Sequence, residues 1–179
     1  MPNYRRDRSA GSTYFFTVNT VQRGPTGPLV VNIGLLKSVL RKVVKDHPVV
    51  IEAMVVLPDH IHCLWAMPRD DSDYAKRWSL VKGGFSRSLP KNIENRSQSR
   101  IKRGERGVWQ RRFWEHRIRD EADYKNHLDY IHFNPVKHGY CQKVVQWPHS
   151  SFHKFVRQGI YSADWGEEPE VLYGTGEDE

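Results

Sequence analysis

The residues whose type and spacing first suggest chemistry are His60 and His62, two histidines in the β-type run His-Ile-His-Cys-Leu-Trp. Successive side chains of a strand point to opposite faces, so both imidazoles project from one face with their Cβ atoms roughly 6 to 7 Å apart. Two neutral imidazoles at that separation can bind one divalent ion. The same spacing fits two half-exposed strand histidines or the ligands of a structural zinc ion, so the metal interpretation requires a further ligand and a nucleophile.

A tyrosine and an asparagine farther along the chain could supply them. Residues 120–135 have the periodicity of a helix, and at about 100° per residue Tyr130 and Asn134 share a stripe that is separate from the core stripe. The core stripe consists of Tyr124, Leu128 and Ile131, and His127 lies near the other stripe. A hydroxyl and an amide oxygen one turn apart could face one metal-bound phosphate. The alternative is a solvent-facing tyrosine with an asparagine that ends the helix before Pro135.

A phosphodiester substrate would explain why a metal site and a tyrosine occur together. Its negative charge repels nucleophiles, and a divalent ion on a nonbridging oxygen neutralises that charge and fixes the phosphorus. Tyrosine has an ordinary pKa of about 10, so it needs a nearby cation or base to attack as phenolate. The phosphotyrosine ester conserves the bond energy, so a DNA 3′-hydroxyl can reverse the step. No Ser/His/Asp or Cys/His pattern and no Gly-rich phosphate loop competes with this chemistry.

The elements that must position these residues follow the order strand, helix, strand, strand, helix, strand, helix. We expect strands at 12–21, 49–57, 60–66 and 113–118, and helices at 35–44, 74–85 and 120–133, the last with Asp120 as its N-cap. Residues 86–107 are polar and basic, which indicates a loop. The order predicts an α+β fold, a ferredoxin-like (βαββαβ) antiparallel sheet with flanking helices and an added C-terminal helix that carries the tyrosine.

The charge of the chain is high and unevenly distributed. There are 28 Lys and Arg against 21 Asp and Glu, a formal net charge of +7 and a sequence pI of about 9.5. Residues 76–119 contain 14 Lys and Arg and 3 Asp and Glu, whereas residues 160–179 contain 7 acidic residues and no Lys or Arg. The basic segment favours a polyanionic partner. We predict a single domain over 1–165 and an acidic flexible tail over 166–179.

Several classes of protein are disfavoured. Cys63 and Cys141 fit neither a zinc pattern nor the disulfide framework of a secreted protein. No apolar run approaches the ~18 residues of a membrane span, and the first residues lack the apolar core of a signal peptide. We therefore expect a cytoplasmic protein with no membrane partner.

Basic and aromatic residues indicate where single-stranded nucleic acid would bind. Arg5, Arg6 and Arg8 form a basic arm that could reach a base edge. In residues 76–119, cations can follow a phosphate backbone, and aromatic rings can stack on unpaired bases for about 1–3 kcal/mol per base. The candidates in this segment are Lys82, Arg111, Arg112 and Trp114.

Three stretches of the sequence resemble a known family. Val-Val-Leu-Pro-Asp-His-Ile-His at 55–62 resembles the histidine-hydrophobic-histidine motif of HUH endonucleases. Phe-Trp-Glu-His at 113–116, followed by Tyr-Ile-His-Phe-Asn-Pro-Val at 130–136, is similar to the REP-associated tyrosine transposases, relatives of the single-tyrosine insertion-sequence transposases. The likeness covers about residues 14–155, and the motifs occur in the family's order and spacing.

The resemblance implies an enzyme that cleaves and rejoins single-stranded DNA with the help of a divalent metal. Tyr130 would be the nucleophile that forms a 5′-phosphotyrosine link and releases a 3′-hydroxyl. His60, His62 and Asn134 would hold the metal, Mg²⁺ or Mn²⁺. The substrate would be single-stranded DNA that carries a repetitive extragenic palindrome hairpin and a short conserved tetranucleotide beside it. The enzyme would act as a monomer rather than as a homodimer.

Two other functions fit parts of the sequence. One is a non-catalytic, sequence-specific nucleic-acid-binding module, because a ferredoxin-like sheet with aromatic residues also suits RNA binding. The presence of Tyr130, both histidines and Asn134 together argues against it. The other is a nickase of the replication-initiator or relaxase kind. The spacing between the histidines and Tyr130, with Asn-Pro-Val after the tyrosine stretch, favours the transposase.

Overall fold

Four antiparallel strands form the sheet that carries the histidines. The structure is a computed structural model, and it describes residues 7–90 and 97–166. The strands are β1 (Thr13–Asn19), β2 (Val50–Val56), β3 (His60–Ala66) and β4 (Trp114–Arg117). Their order across the sheet is β2-β3-β1-β4, and each neighbouring pair is antiparallel. This arrangement confirms the predicted α+β fold with a ferredoxin-like antiparallel sheet.

Three long helices and several short ones flank the sheet. They are α1 (Pro28–Val31), α2 (Ile33–Asp46), α3 (Tyr74–Ser88), α4 (Gln98–Ile101), α5 (Glu121–Lys137) and α6 (Phe152–Arg157), with a 3₁₀ turn at Val144–Gln146. The long helices α2, α3 and α5 correspond to the three predicted helices. Within residues 7–90 and 97–166, no helix is both long enough and apolar enough to span a bilayer.

Helices α2 and α3 cover one face of the sheet. Ile61, Cys63 and Trp65, the alternate residues of β3, point to this face and are buried with Phe16 of β1. The Trp65 ring stacks on Trp78 of α3, with ring centroids 4.2 Å apart. The apolar core on this side of the sheet is therefore the larger of the two. The two histidines point to the other side.

Helices α5 and α6 cover the opposite face. His60, His62 and Leu64 of β3 point to it, and Phe15 of β1 packs there in one cluster with Leu64 and Ile131 of α5. The added C-terminal helix therefore lies directly over the strand that carries the two histidines.

Helix α5 begins as predicted and ends later than predicted. The Asp120 carboxylate caps it by accepting a hydrogen bond from a backbone N–H of the first turn. The helix continues through Pro135 to Lys137, so the predicted end before the proline is wrong. A proline removes its own N–H, and in the last turn this loss affects few helical hydrogen bonds. The N–H of His138 donates to the Asn134 carbonyl at 3.0 Å and closes that turn.

The segment that sequence patterns indicated as a loop is partly helical. Helix α3 extends past Gly83 and Gly84 to Ser88, and α4 lies farther along the same segment. Burial of apolar α3 side chains, among them Phe85, outweighs the low helix propensity of the two glycines. Gly84 also allows α3 to approach α2, because a Cβ there would lie 2.8 Å from a Val39 methyl group.

The chain after α5 returns along the edge of β2. The N–H of Val56 donates to the His149 carbonyl at 2.9 Å, and the N–H of Ser151 donates to the Met54 carbonyl at 2.8 Å. These bonds pair an edge strand that would otherwise expose its backbone groups. Most of the predicted acidic tail, residues 167–179, lies outside the described residues.

Candidate active site

The two histidines occupy the start of β3 beneath α5. Both are buried, and their ring centroids lie 4.8 Å apart at an interplanar angle of 80°. The turn before β3 is fixed by hydrogen bonds, since the Leu57 N–H donates to the His60 carbonyl at 2.9 Å and the Thr20 N–H donates to the Asp59 carbonyl at 2.8 Å. These bonds fix the turn, and the two imidazoles project from the same face of β3, as their alternation along the strand predicted.

Helix α5 brings Tyr130 and Asn134 to the histidines. The Tyr130 ring centroid lies 5.2 Å from that of His62, and Asn134 Oδ1 lies 3.3 Å from His60 Nε2. Asn134 is fully buried, and Tyr130 packs against Phe15 with a centroid distance of 6.0 Å. All four residues singled out in the sequence thus meet in one place. Both stripes of α5 are buried here, although the sequence assigned only one of them to the core.

Two residues that the sequence analysis did not select orient the imidazoles. The Asp59 carboxylate lies 2.6 Å from His60 Nδ1, and the Thr17 hydroxyl lies 2.9 Å from His62 Nδ1. A partner on Nδ1 fixes the orientation of each ring and leaves Nε2 for a metal. The Asp59 carboxylate, which only accepts, also favours the tautomer of His60 that carries its proton on Nδ1. Asp59 directly precedes His60 in the sequence, whereas only the pairing of Thr17 with His62 across β1 and β3 places the hydroxyl there.

The donor set fits a divalent cation. With Nδ1–H donated to the Asp59 carboxylate, His60 Nε2 presents a lone pair to Asn134 Oδ1, which is also an acceptor. Two acceptors 3.3 Å apart repel each other unless a proton on Nε2 or a metal cation lies between them, and both atoms are of the kind that bind metals. Burial lowers the pKa of His62 well below its ordinary value, so His62 is held in the neutral form, which can bind a metal.

Two more residues beside the tyrosine were missed from the sequence. Lys137 Nζ donates a hydrogen bond to the Tyr130 hydroxyl at 3.4 Å and lies 4.8 Å from the centroid of its ring. His138 lies against His60 with ring centroids 5.0 Å apart. Lys137 follows Tyr130 by seven residues, two helical turns, so it shares the tyrosine's face only because the helix continues through Pro135.

A second group of potential cation ligands lies at the junction of β4 and α5. His116, Asp123 and His127 offer ligand atoms within 4.8 Å of one another. Burial raises the pKa of the Asp123 carboxyl, but hydrogen bonds from His116 and the Arg119 N–H outweigh this and bring the pKa to about 2. The Arg119 guanidinium also lies 3.3 Å from Asp123, which disfavours a further cation. We assign this group to the attachment of α5.

The predicted DNA-binding residues are scattered in the structure. Arg5 and Arg6 lie outside the described residues, and Arg8 is exposed. Trp114 lies on the face of the tyrosine, edge-on to Phe15 at 5.6 Å and stacked on His116 at 5.8 Å.

The remaining candidates lie on the other side of β4 or in the chain that leads to it. Lys82 Nζ donates to the carbonyls of Gln110 and Arg111 at 2.5 and 3.0 Å. The Arg111 guanidinium pairs with Glu105 at 3.1 Å, and Arg112 is exposed. The structure does not gather these cations around Tyr130.

Comparison with known proteins identifies the family of this chain. The family model described as "Transposase IS200 like" matches residues 32–134. A Haemophilus influenzae protein named provisionally as a REP-associated tyrosine transposase is 46% identical over 171 residues, which are 96% of this chain and 97% of that protein. The REP-associated tyrosine transposase of Escherichia coli K12 is 41% identical over 165 residues, which are 92% of this chain and 91% of that protein.

A solved structure of a REP-associated tyrosine transposase bound to a REP hairpin has the same fold. Its TM-score is 0.79 at 40% sequence identity, and the match covers 94% of this chain and 93% of that one. The likeness therefore includes the sheet, its flanking helices and nearly the whole length of both chains. This chain belongs to the IS200-like transposases and, among them, to the REP-associated tyrosine transposases, a class of enzymes.

Proposed function

We propose that this protein cleaves and rejoins single-stranded DNA through Tyr130, with a divalent metal held by His60, His62 and Asn134. The observation that carries the proposal is the convergence of two buried imidazoles and a buried amide oxygen beside one phenol. His60 Nε2 and Asn134 Oδ1 are 3.3 Å apart, and the Tyr130 ring lies 5.2 Å from the His62 ring.

The cleavage step transfers a DNA phosphoryl group to the tyrosine. The Tyr130 oxygen forms a bond to the phosphorus and loses its proton, while the bond from phosphorus to the 3′ oxygen breaks and that oxygen takes up a proton. The products are a 5′-phosphotyrosine ester and a free 3′-hydroxyl. Attack by a 3′-hydroxyl on the ester reverses both bond changes and releases the tyrosine, so rejoining needs no nucleotide cofactor.

Lys137 is suited to assist the tyrosine. Its ammonium donates a hydrogen bond to the phenol oxygen, so a positive charge faces the atom that becomes more negative as its proton leaves. The contact also fixes the direction of the hydroxyl before DNA binds. Lys137 therefore serves in this proposal as the cation that a tyrosine nucleophile requires.

The metal would be Mg²⁺ or Mn²⁺, as the family resemblance implied. When bound, it would neutralise charge on a nonbridging phosphate oxygen and hold the phosphorus in line with the attacking oxygen. Asp59 and Thr17 would keep the two imidazoles turned toward it. All these groups come from one chain, which supports action as a monomer.

The substrate we propose is single-stranded DNA with a hairpin of a repetitive extragenic palindrome. The structural relative described above was solved with such a hairpin, and it shares the fold over nearly its whole length. The basic segment 76–119 supplies charge for a phosphate backbone.

The experiment that tests the proposal is the capture of the covalent intermediate. The protein is incubated with Mn²⁺ and a labelled single-stranded palindrome oligonucleotide, and a denaturation-resistant protein–DNA adduct is sought by gel electrophoresis. We expect Tyr130→Phe, His62→Ala or a chelator to abolish the adduct, whereas Tyr124→Phe, on the same helix, leaves it intact. If Tyr130→Phe forms as much adduct as the parent, another residue is the nucleophile. If the parent itself forms no adduct, a binding module without catalysis becomes the better description.

A further inference from the structure

A basic cavity lies on the side of the sheet opposite to Tyr130. It has a volume of about 620 Å³ and opens between α3 and the chain that leads into β4. Lys82, Gly83 and Arg87 of α3 line one wall, and Arg111 and Phe113 line the other. The catalytic proposal uses none of these side chains.

Hydrogen bonds between the two walls form the cavity before any ligand arrives. Lys82 Nζ binds the carbonyls of Gln110 and Arg111 across the opening. The Arg106 guanidinium donates to the carbonyls of Leu89 and Pro90 at 2.8 and 2.6 Å. A cavity whose walls are already ordered requires less loss of conformational entropy when a ligand binds.

The far wall of the cavity is attached to the strand beside the histidines. The N–H of Gln110 donates to the Asn19 carbonyl at 2.9 Å, and the N–H of Val21 donates to the Val108 carbonyl at 2.9 Å. Asn19 is the residue of β1 that pairs with His60 of β3. The cavity and the candidate active site therefore flank the same end of β1, on opposite faces of the sheet. A DNA single strand that contacted both the candidate active site and the cavity would pass around this end of the sheet.

The lining of the cavity matches one nucleotide. It contains five cations, Lys82, Arg87, Arg100, Arg106 and Arg111, and one carboxylate, Glu105. The Phe113 ring lies beside them, with Lys82 Nζ 6.0 Å from its centroid. Cations bind phosphate, an aromatic ring stacks on an unpaired base, and pockets of about 300–1,000 Å³ hold small ligands.

We propose that this cavity binds one unpaired nucleotide of the single-stranded DNA that flanks the hairpin. The base lies against Phe113, and its phosphate meets Lys82, Arg87 and Arg111. The inference rests on the proposed function for its substrate. It adds to the candidate active site a separate binding site, which would favour hairpins that carry a single-stranded flank over hairpins with blunt ends.

The test fills the cavity and measures binding to two DNAs. A Cβ at Gly83 would lie 3.1 Å from the exposed, flexible Arg87 guanidinium, so Gly83→Leu places a side chain in the cavity at little cost to the fold. Gly34→Leu on α2, where a Cβ would meet nothing within 4 Å, is the matched control. Fluorescence anisotropy without divalent metal compares a labelled hairpin with a short single-stranded flank and the same hairpin with blunt ends.

We expect Gly83→Leu to weaken binding of the flanked hairpin about tenfold, the loss of one stacked base, and to leave the blunt hairpin unchanged. Gly34→Leu should bind both DNAs like the parent. Equal binding of parent and Gly83→Leu, or an equal loss for both DNAs, would overturn the proposal.

A second measurement covers the case in which Gly83→Leu is unstable. The fluorescent base 2-aminopurine is placed at each position of the flank in turn, and the parent should change its emission at one position alone. Uniform emission changes along the flank would count against a pocket. Neither assay requires cleavage, so Tyr130→Phe should keep the flank preference. The nucleotide pocket and the catalytic proposal can therefore fail separately.

Discussion

Among single residues, the contacts that orient the two imidazoles matter most for the candidate site. Asp59 and Thr17 bind the Nδ1 atoms of His60 and His62, and each does so at hydrogen-bond distance. Burial raises the pKa of the Asp59 carboxyl, but hydrogen bonds from His60 and the Gly24 N–H outweigh this effect, so the pKa is lowered overall. A charged Asp59 increases the basicity of the His60 nitrogen that would face a metal.

Removal of either orienting group should weaken metal binding. We expect Asp59→Asn and Thr17→Val each to reduce Mn²⁺ affinity about 10- to 100-fold, because the ring nitrogens lose their fixed orientation. Isothermal titration calorimetry measures the affinity, and Asp46→Asn at the exposed end of α2 serves as the control. Because Asp59 also binds Arg23 and the Gly24 N–H, thermal unfolding of each variant must accompany the titration. Parent-like Mn²⁺ affinity in both variants would contradict this arrangement.

The charge on Lys137 should matter more for catalysis than for binding. We expect Lys137→Met to slow adduct formation about 100-fold, because the phenol oxygen loses the cation that stabilises its developing charge. Lys137→Arg should retain most of the rate, since it keeps the charge. Single-turnover rates at saturating DNA separate this effect from affinity, and Lys154→Met of α6 is the control. If Lys137→Met instead weakens DNA binding and reacts at the parent's rate at saturating DNA, the lysine contacts a phosphate and does not assist the tyrosine.

At the scale of elements, the attachment of α5 decides where Tyr130 lies. The N-terminus of the helix is joined to β4 by the group of His116, Asp123 and His127. The helix is seated over the sheet through Leu128 and Ile131. Pro135 does not end it, so the last turn carries both a candidate metal ligand and the lysine. The same helix therefore fixes the distances among all the groups that it contributes.

The junction of β4 and α5 should make the protein sensitive to acid. The Asp123 carboxyl has a pKa of about 2 in the folded state, against about 4 in an unfolded chain. Its stabilisation is therefore complete above about pH 4 and is lost as the pH falls toward 2. We expect Asp123→Asn to lower the free energy of unfolding at pH 7 by roughly 2 kcal/mol and to flatten its dependence on pH in this window.

Urea unfolding at a series of pH values measures this effect. Glu121→Gln, an exposed carboxylate of the same first turn, is the control and should change little. If the free energy of unfolding of Asp123→Asn depends on pH as strongly as that of the parent, the Asp123 carboxyl is not the source of the acid sensitivity.

In the molecule as a whole, the sheet separates two regions that lie on its opposite faces. One face holds the candidate catalytic groups under α5, and the other holds the apolar core and the basic cavity beside α3. The returning chain at 149–151 pairs with one edge of the sheet, and β4 forms the other edge. DNA that contacts both faces must pass around an end or this second edge of the sheet.

The salt dependence of DNA binding should show which cations lie along the path of the DNA around the sheet. We expect Arg112→Ala, at an exposed position next to β4, to reduce the slope of log K against log salt concentration by about 1. Lys42→Ala on the exposed face of α2 removes the same charge from a different surface and should leave the slope unchanged. Equal slopes for Arg112→Ala and the parent would place the DNA elsewhere.

Local sequence patterns were enough to predict much of the fold and the identity of the candidate residues. Alternation along 60–66 placed His60 and His62 on one face, and helical spacing placed Tyr130 and Asn134 on one stripe. Both inferences need only the local geometry of a strand or a helix. The motifs also identified the family, which the comparisons confirm. The catalytic roles of these residues stay predictions.

The side chains that surround the candidate residues could not be predicted in this way, because they come from elements that meet only in the folded chain. Thr17 reaches His62 through strand pairing, a contact between residues 45 apart in the chain. Lys137 reaches Tyr130 because packing of α5 carries the helix past Pro135, against the local preference of the residue before a proline. Local sequence sets dihedral preferences and periodicity. The register between strands and the position of a helix on the sheet depend instead on the burial of side chains from distant parts of the chain.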